Sequence, residues 1–221
     1  VDGVRYRYLY MKEEDPARGR RRSPVLFVHG FAQNALSWFP ASRTVFLERD
    51  VYGIDLVGHG GSAVPFHPAP YSLISMGEAL LALIKLIPGK PLVVGYSMGG
   101  RVSLSALLEA GPAAFAKQTS GLLLESVGMG PKTQAERDEA IAGQHRMPSY
   151  RETTAALRDL GLRGYPALYL AGEKDVKYSK LARGLHEDGI IRTRIAPKVG
   201  HNVHLEAPDV FAACVHSVAT R

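Results

Sequence analysis

The chain has 221 residues, 46% of them hydrophobic, with 27 Lys and Arg against 21 Asp and Glu and a net charge of +6. That length suits one domain, residues 1–221, with a sizeable core, and no apolar run approaches the roughly eighteen residues that mark a membrane-spanning helix. A single cysteine, Cys214, excludes an internal disulfide, and there is no Cys/His cluster at zinc spacing and no carboxylate cage for calcium or magnesium.

In chain order, Val4-Arg5-Tyr6-Arg7-Tyr8 alternates in polarity, so Val4 to Tyr10 reads as a half-exposed strand. It lacks the apolar core and small-residue cleavage site of a secretory signal. Arg18-Gly19-Arg20-Arg21-Arg22 reads as a solvated loop before the second strand. No nucleic-acid fold signature accompanies that charge, although a basic surface favours the approach of an acidic small molecule. Val25–Val28 and Val51–Asp55 are the next strands. Ser72 to Ile87 reads as a helix: Leu73, Met76, Leu80, Leu83, Ile84 and Ile87 form a stripe, Ser75-x-x-Glu78 resembles a capping box, and Pro88-Gly89 stops it.

Next comes the most informative segment. Leu92-Val93-Val94 is a buried strand, and Arg101 to Glu109 is a good helix former. Between them lies Gly95-Tyr96-Ser97-Met98-Gly99, a Gly-x-Ser-x-Gly at a strand-to-helix turn. In that context the serine is a nucleophile held on a strained elbow, its hydroxyl directed away from the sheet. Gly95 and Gly99, having no Cβ, let strand and helix approach closely around the turn.

A serine hydroxyl needs a histidine to take its proton and an acid to orient the histidine, here in the chain order serine, acid, histidine. Leu168–Leu170 runs into a loop ending on Asp175, which fits the acid; Glu125, at the end of Leu122–Leu124, is the rival, and Glu173 reads as a loop residue that pairs locally. Ile195 leads to a Gly200-His201 loop, which makes His201 the base, with His204 as its competitor. An acyl-transfer site also needs backbone N–H groups aimed at the developing oxyanion. Met98, after the nucleophile, and Phe31, after the strand Val25–Val28 and His29-Gly30, fit that pair. His29 itself reads as structural, its ring bonding the loop backbone.

The remaining elements are strands at Gly121–Leu124, Ala167–Ala171 and Thr193–Ile195, and a final helix from about Pro208 through about Val218, in which Cys214 packs in the core. Strands alternating with helices predict an α/β fold: a mostly parallel sheet flanked by helices. Residues 126–165, with one or two helical stretches between about Thr133 and Leu160, read as a short cap insertion over the site, the alternative being an ordinary crossover helix pair with no lid role.

These residues together resemble the α/β-hydrolase superfamily along nearly the whole chain; Asp55-Leu56-Val57-Gly58-His59-Gly60-Gly61-Ser62 is similar to its Asp-x-x-Gly-His-Gly-x-Ser loop. Gly95 to Arg101, Gly172 to Tyr178 and Gly200-His201-Asn202-Val203-His204-Leu205-Glu206-Ala207-Pro208 resemble one branch more closely, the 2-succinyl-6-hydroxy-2,4-cyclohexadiene-1-carboxylate synthases of menaquinone biosynthesis. That resemblance implies elimination of pyruvate from an anionic precursor, with Ser97 as base on a carbon acid, His201 and Asp175 activating it, Phe31 and Met98 holding the enolate, and Tyr96 and Arg101 binding substrate. The cap departs from the branch: Thr133-Gln134-Ala135-Glu136-Arg137 echoes its start, but Ala140 stands where another arginine is usual. The expectation is therefore a Ser-His-Asp enzyme working in the cytoplasm as a monomer or homo-oligomer, with an anionic small-molecule substrate and no metal, cofactor, nucleic acid or membrane partner. The alternatives are a carboxylesterase or thioesterase acting through an acyl-enzyme, and a non-catalytic ligand-binding protein on the same fold.

Overall fold

The computed structural model describes residues 1, 3–13, 22–130 and 148–219. Among these, seven strands form one sheet: β1 Tyr8–Met11, β2 Val25–Val28, β3 Val51–Ile54, β4 Leu92–Tyr96, β5 Gly121–Glu125, β6 Ala167–Gly172 and β7 Arg192–Ala196. Their spatial order is β1-β3-β2-β4-β5-β6-β7. β1 pairs antiparallel with β3, and every other pairing is parallel. All the parallel strands therefore end on the same edge, which is where sites form in such sheets.

Period-two alternation divides each strand between two cores. Leu26, Val28, Val93, Leu122, Leu124 and Tyr169 face one side, under helices α2 Leu73–Leu86 and α3 Met98–Ala110. Val25, Phe27, Leu92, Val94, Leu123 and Leu168 face the other, under α1 Phe39–Phe46 and the last helix, Pro208–Ala219. Phe27 stacks on Trp38 there, ring centroids 4.7 Å apart, and Cys214 is buried in the same core. Strands buried on both faces read as continuous apolar runs, which is why Val25–Val28 and Leu92–Val94 stood out.

The remaining helices are α4 Pro112–Gln118, α5 Tyr150–Leu162, α6 Val176–Glu187, α7 Val203–Glu206 and, as α8, the last helix. No helix among the described residues is long and apolar enough to cross a membrane.

Three details differ from the expectations. The first strand is shorter than Val4–Tyr10, because Arg5 and Arg7 bond instead to the loop after β3: Ala63 N–H donates to Arg5 O, Arg7 N–H to Ser62 Oγ, and Arg7 Nε to Asp55. The cap of α2 is Ser72, whose Oγ accepts Ser75 N–H at 3.1 Å, so Ser75 lies inside the first turn. The third is that α1, α4 and α6 have no counterpart among the expected elements; in α6 a stripe of Tyr178, Ala182 and Leu185 is buried at helical spacing. Within residues 126–165, α5 starts on a capping box, Ser149 with Glu152. The Thr133–Arg137 echo, Ala140 and most of the arginine run at 18–22 lie outside the described residues; Arg22 is described and pairs with Glu48.

Candidate active site

β4 ends at Tyr96, and α3 starts at Met98. Ser97, the single residue between them, has φ 49° and ψ −111°, a conformation that L-residues rarely adopt. A Cβ on Gly99 would lie 2.1 Å from Val28 O, and one on Gly95 would lie 2.7 Å from Gly100 Cα. Both approaches involve backbone atoms, so only glycine fits. The elbow thus depends on β2 as well as on its own strand. Met98 opens α3, so its N–H has no acceptor within the helix.

Strain recurs around the site. Four non-glycine residues among those described have left-handed φ: Ala32 (57°), Ser97 (49°), Ser126 (51°) and Lys198 (63°). They sit in the loops leaving β2, β4, β5 and β7, all on one sheet edge. Such strain persists only where surrounding bonds over-determine it.

Asp175 and His201 reach that edge from β6 and β7. Asp175 is the N-cap of α6, with Oδ1 accepting Tyr178 N–H at 3.3 Å, while Oδ2 lies 2.5 Å from His201 Nδ1. The other ring nitrogen, Nε2, lies 3.4 Å from Ser97 Oγ. An acceptor carboxylate fixes the proton on Nδ1 and leaves Nε2 free to accept from the serine. The imidazole is flanked by two rings, Tyr178 at 5.1 Å and Tyr96 at 5.3 Å between centroids.

The loop carrying His201 is tied down at several points. Glu206 accepts Gly200 N–H at 2.8 Å, and Glu173, from the loop after β6, accepts Lys198 N–H at 2.8 Å, a partner 25 residues away rather than a local one. Ser126 Oγ donates to His201 O at 3.0 Å. Neither Glu125 nor His204 joins Ser97, His201 and Asp175. Glu125 and His204 are both fully buried and bond to each other, Nδ1 lying 2.9 Å from Oε1. That pairing links residues 79 apart in the chain, and no local motif signals it.

His29 is structural. Its Nε2 accepts Leu56 N–H at 3.0 Å, so the proton sits on Nδ1 and is donated to Gly30 O at 2.7 Å. Burial lowers its pKa to about 4. The loop after it is shaped by Gln33, whose Oε1 accepts Gly30 N–H at 3.1 Å. Phe31 follows with its side chain 75% exposed, its ring edge-on to His59 at 6.0 Å.

The loop after β3 is organised by Asp55, which is fully buried. Burial alone would raise its pKa, but N–H donation from Gly61 and Ala35 and the Arg7 side chain hold it below the ordinary carboxylate value. Gly58 to Ser62 is therefore a scaffold loop.

The two substrate residues implied by resemblance lie apart in character. Tyr96 is 5% exposed, its ring against Trp38, His201 and His204. Arg101 lies one turn into α3, its N–H bonded to Ser97 O, and lines a small cavity with Leu104, Gly128, Met129 and Thr153. No group of three or more His, Cys, Asp or Glu among the described residues could hold a metal ion.

This sheet, elbow and strand-end loop set define a class. The chain belongs to the alpha/beta hydrolase family, whose model matches residues 25–214. Among its relatives, a Bacillus subtilis (strain 168) protein provisionally named 2-succinyl-6-hydroxy-2,4-cyclohexadiene-1-carboxylate synthase is 27% identical over 281 aligned positions, covering 99% of this chain and 96% of that protein. At least 60 of those positions have no counterpart in the 221 residues here. The Arabidopsis thaliana protein PHYLLO, chloroplastic, is 26% identical over 277 positions; the match covers 94% of this chain but only 16% of PHYLLO. Among solved structures, a thioesterase domain from the curacin biosynthetic pathway superposes with TM-score 0.75 at 14% identity, covering 98% of this chain and 96% of that one. That likeness concerns the fold alone.

Proposed function

We propose that this protein is a Ser-His-Asp enzyme in which Ser97 is the reactive group, His201 its base and Asp175 the residue that orients His201. The observation carrying this reading is the continuous line from Asp175 Oδ2 to His201 Nδ1 (2.5 Å) and from Nε2 to Ser97 Oγ (3.4 Å). Nε2 takes the Oγ proton as Ser97 reacts, and the carboxylate stabilises the imidazolium that results. The N–H groups of Met98 and Phe31 are the donors for the oxyanion that develops.

For the reaction we propose pyruvate elimination from an anionic cyclic precursor, as in the synthases this chain resembles. Ser97, deprotonated by His201, removes a proton from carbon, and the Phe31 and Met98 N–H groups hold the enolate that forms; its electron pair then makes the ring double bond as the C–O bond to the enolpyruvyl group breaks, and the departing enolate takes up a proton to become pyruvate. Arg101 is the candidate carboxylate partner, since a guanidinium can bond both oxygens at once. Tyr96, mostly buried, supports the His201 ring, and any substrate contact is confined to its remaining exposed surface. Resemblance to the Bacillus subtilis protein along 99% of the chain supports this reading.

A second reading is hydrolysis of an ester or thioester through acyl-Ser97, because the same serine, base and backbone donors serve acyl transfer. One experiment separates the two. The succinyl-enolpyruvyl precursor and a series of aryl esters are offered to the same preparation. Pyruvate release supports the synthase. A burst of phenol without pyruvate supports the hydrolase.

A further inference from the structure

The triad chemistry leaves two buried residues unused: Glu125, the last residue of β5, and His204, in α7. Glu125 and His204 are each fully buried. Glu125 Oε1 accepts the backbone N–H of His204 at 3.0 Å, and His204 Nδ1 lies 2.9 Å from Oε1 and 3.0 Å from Oε2. The next residue, Ser126, donates its hydroxyl to His201 O at 3.0 Å from a left-handed φ of 51°. On the other side, Glu125 O accepts the N–H of Ser97 at 2.9 Å. Two consecutive residues therefore hold the nucleophile's backbone and both ends of the segment 201–204.

Packing alone does not account for this pair. Apolar residues of similar volume fill a core at least as well as a buried acid and imidazole. His204 does pack, its ring 4.4 Å from Trp38 and 4.7 Å from Tyr96, but its Nε2 has no hydrogen-bond partner. An unsatisfied buried nitrogen is a cost that apolar residues would avoid. What the pair adds is direction, because each bond fixes a point on the loop that carries His201.

We infer that Glu125 and His204, with Ser126, are positioning residues: they tie the His201 loop to the strand end that also anchors Ser97, and so set the separation of Nε2 from Oγ. This rests on the Ser97–His201–Asp175 reading. Displacement of a reacting group by about 1 Å is enough to cost on the order of a hundredfold in rate.

The test uses a fluorophosphonate on the intact protein. Ser97 Oγ bonds to phosphorus, fluoride leaves, and the hydroxyl proton passes to His201. The maximal labelling rate, kinact, and the half-saturating concentration, KI, are measured beside Tm. His204→Phe keeps a ring but loses the donor; kinact is expected to fall at least about tenfold with KI within about twofold. His204→Asn places an amide N–H near the position of Nδ1 and is expected to restore most of kinact. Ser126→Ala is expected to lower kinact about threefold. Wild-type kinact in His204→Phe, or equal losses in the Phe and Asn variants, overturns the inference. If His204→Phe does not fold, Ser126→Ala decides, and a wild-type kinact there overturns it. A wild-type protein that is not labelled at Ser97 sinks the triad and this anchor together. Labelling that is normal in the wild type and in every variant sinks the anchor alone.

Discussion

Asp175 and His201 stand 26 residues apart in the chain and meet at 2.5 Å, and the acid has a second duty. Its other oxygen accepts Tyr178 N–H and caps α6. One carboxylate thus closes a helix and orients an imidazole, and the two roles can be separated. Asparagine is about as good an N-cap as aspartate, but it cannot stabilise the imidazolium. Asp175→Asn is expected to lower kcat by roughly 10⁴, as orienting aspartates do in serine triads, with Tm nearly unchanged. A variant that keeps its activity, or loses Tm in step with activity, would limit Asp175 to the cap.

Ser97 offers a similar separation. Ser97→Ala is expected to abolish nearly all turnover while the far-UV spectrum stays native. Ser97→Gly is expected to be equally inactive but more stable than the alanine variant by about 1 kcal/mol, because glycine accepts φ 49° without strain. Thermal unfolding of the two variants checks the strain, and wild-type rates in Ser97→Ala would show that the site lies elsewhere.

Arg101 is tested by charge. If it binds a substrate carboxylate, Arg101→Ala raises KM for an anionic substrate by about tenfold or more, the range of one charge-assisted bond, and leaves a neutral ester nearly unaffected. Equal effects on both substrates would mean that Arg101 does not meet the substrate carboxylate.

His29 predicts an acid limb in stability. Its folded pKa is about 4 against 6.5 for the free side chain, because burial disfavours the charged form. Between those values the unfolded chain binds the extra proton, so stability is full above about pH 6.5 and falls as the pH drops toward 4. The loss across that window is of order 3 kcal/mol. Asp55, held below the ordinary carboxylate value, adds its own loss at lower pH. Denaturant titrations of the wild type and His29→Asn across pH 4–7 check this; an equally steep slope in both proteins would remove His29 as the cause.

Much of the candidate site is legible in the sequence because its signals are local. The elbow lies in seven consecutive residues. The strand-end placements of Asp175 and His201 follow from apolar runs that stop at polar loops. The structural role of His29 followed from its place in the strand-end loop. Other features were harder to read. Ser75 was a plausible cap, yet Ser72 accepts its N–H instead, since two serines three apart offer the same chemistry. The helix Val176–Glu187 carries its signal in the Asp175 cap and in the stripe of Tyr178, Ala182 and Leu185, but Asp175 fits an acid of the site equally well by its position.

What the chain by itself determined was which residues end strands, open helices and tolerate a strained turn, because those properties depend on neighbours within a few positions. What only the tertiary structure decided was which strand ends stand side by side. In the sequence Glu125 is a rival of Asp175 and His204 of His201; in the sheet order β4-β5-β6-β7, Glu125 meets His204 and Asp175 meets His201. Pairing across 79 residues is fixed by the order of strands in the sheet and by the cost of leaving a buried carboxylate without a partner, and neither is written in local spacing.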